Sequence, residues 1–280
     1  MANTLTSDLF ALVPEEWFEP IAGLWVVVIA LLGTELTLSG VATVLAPLGS
    51  STAGAVLVTT AAATLAYGIF AFGLSYVYLE QRGVGPGVVL DLADRAAWRW
   101  IAGLGVLALV LLVTVGAWHT MGTRSQLFRI LPSAIVFGSP PFPDGWAQLS
   151  GLRWVVLPFL TAVVIGPAVG AVFHGVLQNT LSRVAPPAVA LGGPALATAL
   201  TVVYFTYPSV ILTPLLRRTF AVAFVTFAFA LAVGIAYRRT DNLLVPLAAY
   251  GLFNLVAGVL VFTRIEARMP LPQEATSGGE

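Results

Sequence analysis

Seven apolar stretches, each long enough to cross a bilayer, set what this chain can fold into. They run over about 21–46, 54–79, 97–118, 152–175, 187–212, 218–237 and 243–263. A spanning helix needs roughly 20 such residues. In hydrocarbon every backbone polar group must find its partner inside the segment, so these stretches predict helices. Charged residues make up only 9% of the chain, against about a quarter in soluble domains. The expected fold is all-α, a polytopic transmembrane bundle of about seven spans.

The breaks between stretches carry the charge. All thirteen basic residues are arginines, and they gather at helix ends and in loops. They divide almost evenly between the two sides, so the positive-inside rule gives no orientation. Formal net charge is zero, which offers nothing to nucleic acid. The absence of cysteine excludes disulfides, thiolate catalysis and Cys-metal sites. Residues 1–20 form an acidic N-terminal segment without the basic region of a signal peptide, so the first span is expected to deliver and retain the chain. Between the second and third stretches, Gly83-Val84-Gly85-Pro86-Gly87 reads as a turn. Val88–Trp100 reads as an amphipathic interfacial helix anchored by Trp98 and Trp100. The long loop His119–Ser150 is expected to cap or connect spans. The tail 264–280 reads as disordered.

The fourth stretch holds the residues that point to chemistry. It reads Val169-Gly170-Ala171-Val172-Phe173-His174-Gly175-Val176-Leu177-Gln178. This resembles the first motif of the CAAX prenyl protease and bacteriocin-processing family of intramembrane endopeptidases. That motif has two adjacent glutamates, two spacers, then Phe-Arg-Gly-x-Leu-Gln. Phe173, Gly175, Leu177 and Gln178 keep its frame; Val169, Gly170 and His174 replace its glutamates and arginine. The second motif is Phe, three residues, then His; in Phe205-Thr206-Tyr207-Pro208-Ser209 the last place is taken by Ser209. The third is His, three residues, then Asn; here Tyr250 stands for the histidine and Asn254 is retained. Gly234–Leu243 is similar to the family's link between its last two core helices. The resemblance implies a core over 152–263, preceded by N-terminal transmembrane helices with the interfacial helix and loop over 21–151.

The resemblance also implies a mechanism. The family's glutamates and histidines polarise a water for attack on a peptide carbonyl, directly or with a divalent metal, while Asn and Arg hold the oxyanion. The matching positions here, His174, Ser209, Tyr250 and Asn254, offer one imidazole, two hydroxyls and an amide. Only the imidazole is a base near neutral pH. No zinc site follows from that set, and no cofactor is expected. Packing also accounts for these residues. Gly166 and Gly170 form Gly-x-x-x-Gly, which brings two helices close. His174 reads equally as a helix-end residue, and Tyr250 can bond Asn254 one turn along. Glu35 is a lone intramembrane carboxylate, which usually faces a partner or cavity. Glu15-Glu16 reads as ordinary first-turn acids.

The favoured reading is a non-catalytic relative in a prokaryotic cell membrane. It would bind membrane lipids, a membrane protein or a lipidated peptide in the old cavity. Two other readings stay open: an active endopeptidase with a rearranged site using His174, most simply with Ser209, and a small transporter with Glu35 on its path.

Overall fold

Long apolar runs close their own backbone hydrogen bonds, and the computed structural model, which describes residues 18–45, 53–82, 90–122, 159–206 and 216–266, is built of helices joined by short turns in that part. Seven helices stand among them: α1 (Phe18–Leu45), α2 (Ala53–Gln81), α3 (Arg95–Gly122), α4 (Thr161–Val184), α5 (Pro187–Thr206), α6 (Leu216–Thr240) and α7 (Leu244–Glu266). By length and composition, three contain a described apolar window able to cross a membrane: Arg95–Thr114, Ala162–Val184 and Val222–Thr240. Shorter apolar runs lie at Phe18–Ala30, Pro187–Val203 and Leu244–Ala257.

The fourth helix is the centre of the bundle. Its apolar window is 78% buried, against 28% in α3 and 50% in α6. Helices α1, α2, α5 and α7 all pack on it, and α3 closes the far side against α6 and α7. The sequence suits it to that place, because Ala162, Gly166, Ala168, Gly170 and Ala171 keep its surface low. Two wide, π-helical stretches interrupt it, Thr161–Ile165 and Gly170–Gln178. Pro167 accounts for the first, since it has no N–H to donate and its ring needs room over the preceding turn.

Helix α4 runs to Val184, ten residues beyond His174, and not to about 175 as its hydropathy suggests. The polar residues that seemed to end it satisfy themselves on their own helix. Thr180 Oγ1 donates to the carbonyls of Val176 and Leu177, both at 3.0 Å, and Ser182 Oγ donates to Asn179 O at 2.8 Å. A side chain that returns its proton to the helix does not break the apolar run.

The expected interfacial helix over 88–100 is also corrected. Residues 91–94 form a turn, and Arg95–Trp100 are the first residues of α3 itself. Asp91 and Asp94 decide this: their carboxylates accept from Ala93 N at 2.8 Å and Ala96 N at 2.7 Å. The turn is tied down, with Trp98 Nε1 donating to Leu92 O at 2.9 Å and Asn242 Nδ2 donating to Asp91 O at 2.8 Å. Trp100 lies under Arg239, whose guanidinium carbon is 5.7 Å from a ring centroid. The link between α6 and α7 turns on Asp241, at φ 50°, a left-handed place that Asp tolerates. Asn242 then caps α7 by accepting from Leu244 N at 3.0 Å. The glutamates at 15 and 16, the glycine run 83–87, most of the loop 119–150, Pro208, Ser209 and the tail beyond 266 lie outside the described residues.

Candidate functional site

The motif residues of α4 and α7 meet face to face at the centre of the bundle. Close approach comes first. A Cβ on Gly170 would lie 2.7 Å from the carbonyl carbon and oxygen of Pro246 and 2.9 Å from Leu247 N. One on Gly166 would lie 2.5 Å from Gly251 N, and one on Gly251 would lie 2.9 Å from Ala162 O. The two helices therefore touch backbone to backbone, through glycine on both sides. The close-packing reading of Gly-x-x-x-Gly holds, and it excludes any larger residue at 170 without parting α4 from α7. Val169 is fully buried beside it.

One turn along, the polar residues form a closed chain. His174 Nδ1 stands 2.6 Å from Gln178 Oε1, and His174 Nε2 stands 3.1 Å from the Tyr250 hydroxyl. Gln178 Nε2 donates to Gly234 O at 2.8 Å. A carbonyl can only accept, so the Gln178 amide is fixed with its oxygen toward His174. Neutral His174 then carries its proton on Nδ1, and Nε2 accepts from Tyr250. The Tyr250 oxygen in turn has Thr198 of α5 as a hydrogen-bond neighbour. The Thr198 hydroxyl donates to Pro194 O on its own helix at 2.8 Å. Phe229 holds the tyrosine ring edge-on, with centroids 5.6 Å apart and planes at 84°. The chain links α4, α5, α6 and α7 without an ion among its named members.

The site is sealed. His174 and Asn254 expose no surface and Tyr250 exposes 1%. A group lining a water-sized space would expose some surface, so His174, Tyr250 and Asn254 pack against protein. His174 is a mid-bundle residue, not a helix-end one, because α4 continues past it. Asn254 lies on α7 one turn beyond Tyr250 and is partnered. Ser209 lies outside the described residues, and so does the side chain of Glu35, which falls within α1. The structure thus brings His174 and Tyr250 into contact and sets Asn254 on the same helix as Tyr250.

Sequence reasoning missed Gln178 as the partner of His174, although four residues on a helix put two side chains on one face. It also missed Thr198 and Gly234. Nothing in their local sequence marks them; only the packing of α5 and α6 does. A metal does not fit this donor set. Both imidazole nitrogens are engaged, and the remaining matched positions are valine, glycine, serine, tyrosine and asparagine. Among the described residues no group of three or more His, Cys, Asp or Glu could hold an ion.

Apolar helices around a buried, closed hydrogen-bond chain define an all-helical integral membrane protein with a sealed polar core. Its C-terminal part is similar to a known family: residues 151–256 match the family described as Rce1-like, Type II CAAX prenyl endopeptidase Rce1-like, which supports the resemblance to the CAAX prenyl protease and bacteriocin-processing family. Comparison with curated proteins and with solved structures gives no match.

Proposed function

We propose that this chain is a non-catalytic relative of the intramembrane CAAX-type endopeptidases, a membrane protein that engages a membrane partner and does not cleave it. The contact of Gly170 with the Pro246–Leu247 backbone carries this reading. Where the family motif has a carboxylate, a helix backbone occupies the space. General-base catalysis needs a base within hydrogen-bond reach of its water. The lone pair of His174 that could serve is taken by Tyr250, and no water-sized space adjoins it. With the base gone, an oxyanion donor alone supports little turnover, since such groups act as a unit. The sealed core leaves the membrane-facing surface of the bundle for a partner, a lipid-like molecule or another membrane protein.

The test is turnover of a prenylated CAAX peptide and of a membrane reporter by the purified protein. The control is a His174→Ala, Ser209→Ala double variant. The expected result is no cleavage by either. Cleavage by wild type that the double variant lacks would establish a rearranged site and overturn the proposal.

A further inference from the structure

Ten residues past the sealed motif, α4 ends in an open mouth of opposite character. Arg183 lies in its last turn and Arg82 lies just past the last turn of α2. Both reach the same group, Glu19 in the first turn of α1. Arg82 Nη1 is 2.7 Å from Glu19 Oε1, and Arg183 Nη1 is 3.2 Å from Oε2. Two cations thus share one carboxylate, so these three side chains together carry one net positive charge. Each guanidinium spends only Nη1 on Glu19, although it carries five N–H donors in a planar fork suited to phosphate. The side chains are held but open: Arg82 is 36% and Arg183 41% exposed. The Arg82 guanidinium also lies over the Tyr78 ring, 5.6 Å from its centroid, which orients the fork. Between them lies a recess of about 10 Å³, room for one water, lined in part by Gly175, Tyr78, Asn179 and Thr180, so an anion would meet the guanidinium groups at its rim.

Position says what could meet this mouth. Tyr76 and Tyr78 precede Glu80 and Arg82 at the end of α2, the pattern of an aromatic belt followed by charge at the edge of the hydrocarbon. The end of α4 and the beginning of α1 stand at the same level, because Glu19 bridges all three. Basic pockets between membrane helices at this depth suit anionic headgroups.

We propose that Arg82 and Arg183 form a binding site for a phosphate-bearing anion at the membrane surface, with Glu19 as a built-in competitor for the same guanidinium groups. The site is separate from the motif face, and it stands whether or not the protein cleaves peptides. Glu19 is what distinguishes the proposal from a merely structural ion-pair cluster. If the three residues only staple helix ends, removing the carboxylate leaves anion binding unaffected. If they hold an anion, removing it frees a second cation and tightens binding.

The experiment uses the full-length protein in non-ionic detergent, titrated with phosphatidylglycerol, phosphatidylcholine or inorganic phosphate, and reads saturable binding by native mass spectrometry and thermal shift. Phosphatidylglycerol should bind wild type more tightly than phosphatidylcholine. Arg82→Gln and Arg183→Gln should each weaken it about fivefold, the factor expected for one basic residue near a charged surface. Glu19→Gln should strengthen it by a similar factor. Arginine-dependent binding of inorganic phosphate at comparable concentrations would support the site and identify a free anion as its ligand. Equal binding of the two lipids with no phosphate binding would overturn the proposal. So would unchanged affinity in a folded Arg82→Gln, Arg183→Gln double variant, or unchanged or weaker binding in Glu19→Gln. If a glutamine variant fails to fold, the wild-type lipid comparison still decides.

Discussion

Helix α4 carries two polar sites within ten residues, and they solve opposite problems. At His174 the polar groups are neutral, fully buried and hydrogen-bonded in a chain, with glycine contacts closing the helices around them. At Arg183 they are charged, partly exposed and shared among three helix ends. In hydrocarbon an unpaired polar group costs several kcal/mol by approximate reckoning, so a buried site survives only when each member is satisfied. At the headgroup level water and ions are available, so charge can stand without a perfect partner. The difference teaches where ligand exchange is physically open. The first site must break its own bonds to do anything; at the second, among the described residues, Glu19 engages only Nη1 of each guanidinium.

The hardest way to break the comparison is to force the sealed site open. Gly170→Glu would restore one family carboxylate, but its Cβ alone collides with the Pro246 backbone. Overpacking costs about 1–3 kcal/mol, and more when a backbone must move. An unpaired buried charge adds about 3–5 kcal/mol. The expected outcome is loss of monodisperse protein on size exclusion in detergent, with Gly170→Ala folded but less heat-stable. A Gly170→Glu variant as stable as wild type would mean that α4 and α7 part easily, and that the sealed state is one of two.

Next in size is the hydrogen-bond chain. His174→Ala leaves Tyr250 and Gln178 without their partner and opens a void, so about 2–4 kcal/mol of stability should be lost. Tyr250→Phe removes only a hydroxyl. Hydrogen bonds between membrane helices average about 0.6 kcal/mol and reach about 1.7, which sets the expected loss. A double-mutant cycle on the pair should give a coupling of about 0.5 kcal/mol or more, because they touch. Additive losses would show that the 3.1 Å contact contributes nothing.

How far the sequence foretold this contrast follows from range. Helices were readable from apolar runs, because spanning length and internal bonding are local properties. Gly166 and Gly170 were readable as a contact face, but not what they contact: Pro246 and Gly251 lie more than seventy residues on. His174 read equally as a helix end, because hydropathy falls after it, and only the back-bonded Thr180 and Ser182 explain why the helix continues. The family frame brought Tyr250 and His174 under suspicion together. It did not reveal that Gln178 fixes the tautomer, since that follows from the carbonyl of Gly234 on another helix. The arginine mouth went unread for the same reason: Glu19, Arg82 and Arg183 are separated by 63 and 164 residues in pairing.

The smallest expected effect sharpens the comparison from the open side. Glu19→Gln removes both ion pairs at once, yet its stability loss should stay below about 1 kcal/mol, because exposed pairs contribute about 0.2–1 kcal/mol and are screened by salt. The measurement is thermal unfolding of wild type and variant in lipid-free detergent at low and high salt. The difference between them should shrink as salt rises. A change at the buried site, where no salt reaches, should show no such dependence: the His174→Ala loss should hold across the salt series. A large, salt-insensitive loss for Glu19→Gln would place the carboxylate among the groups that hold the bundle together. The mouth would then be a second sealed site, and its arginines would not be free to take an anion.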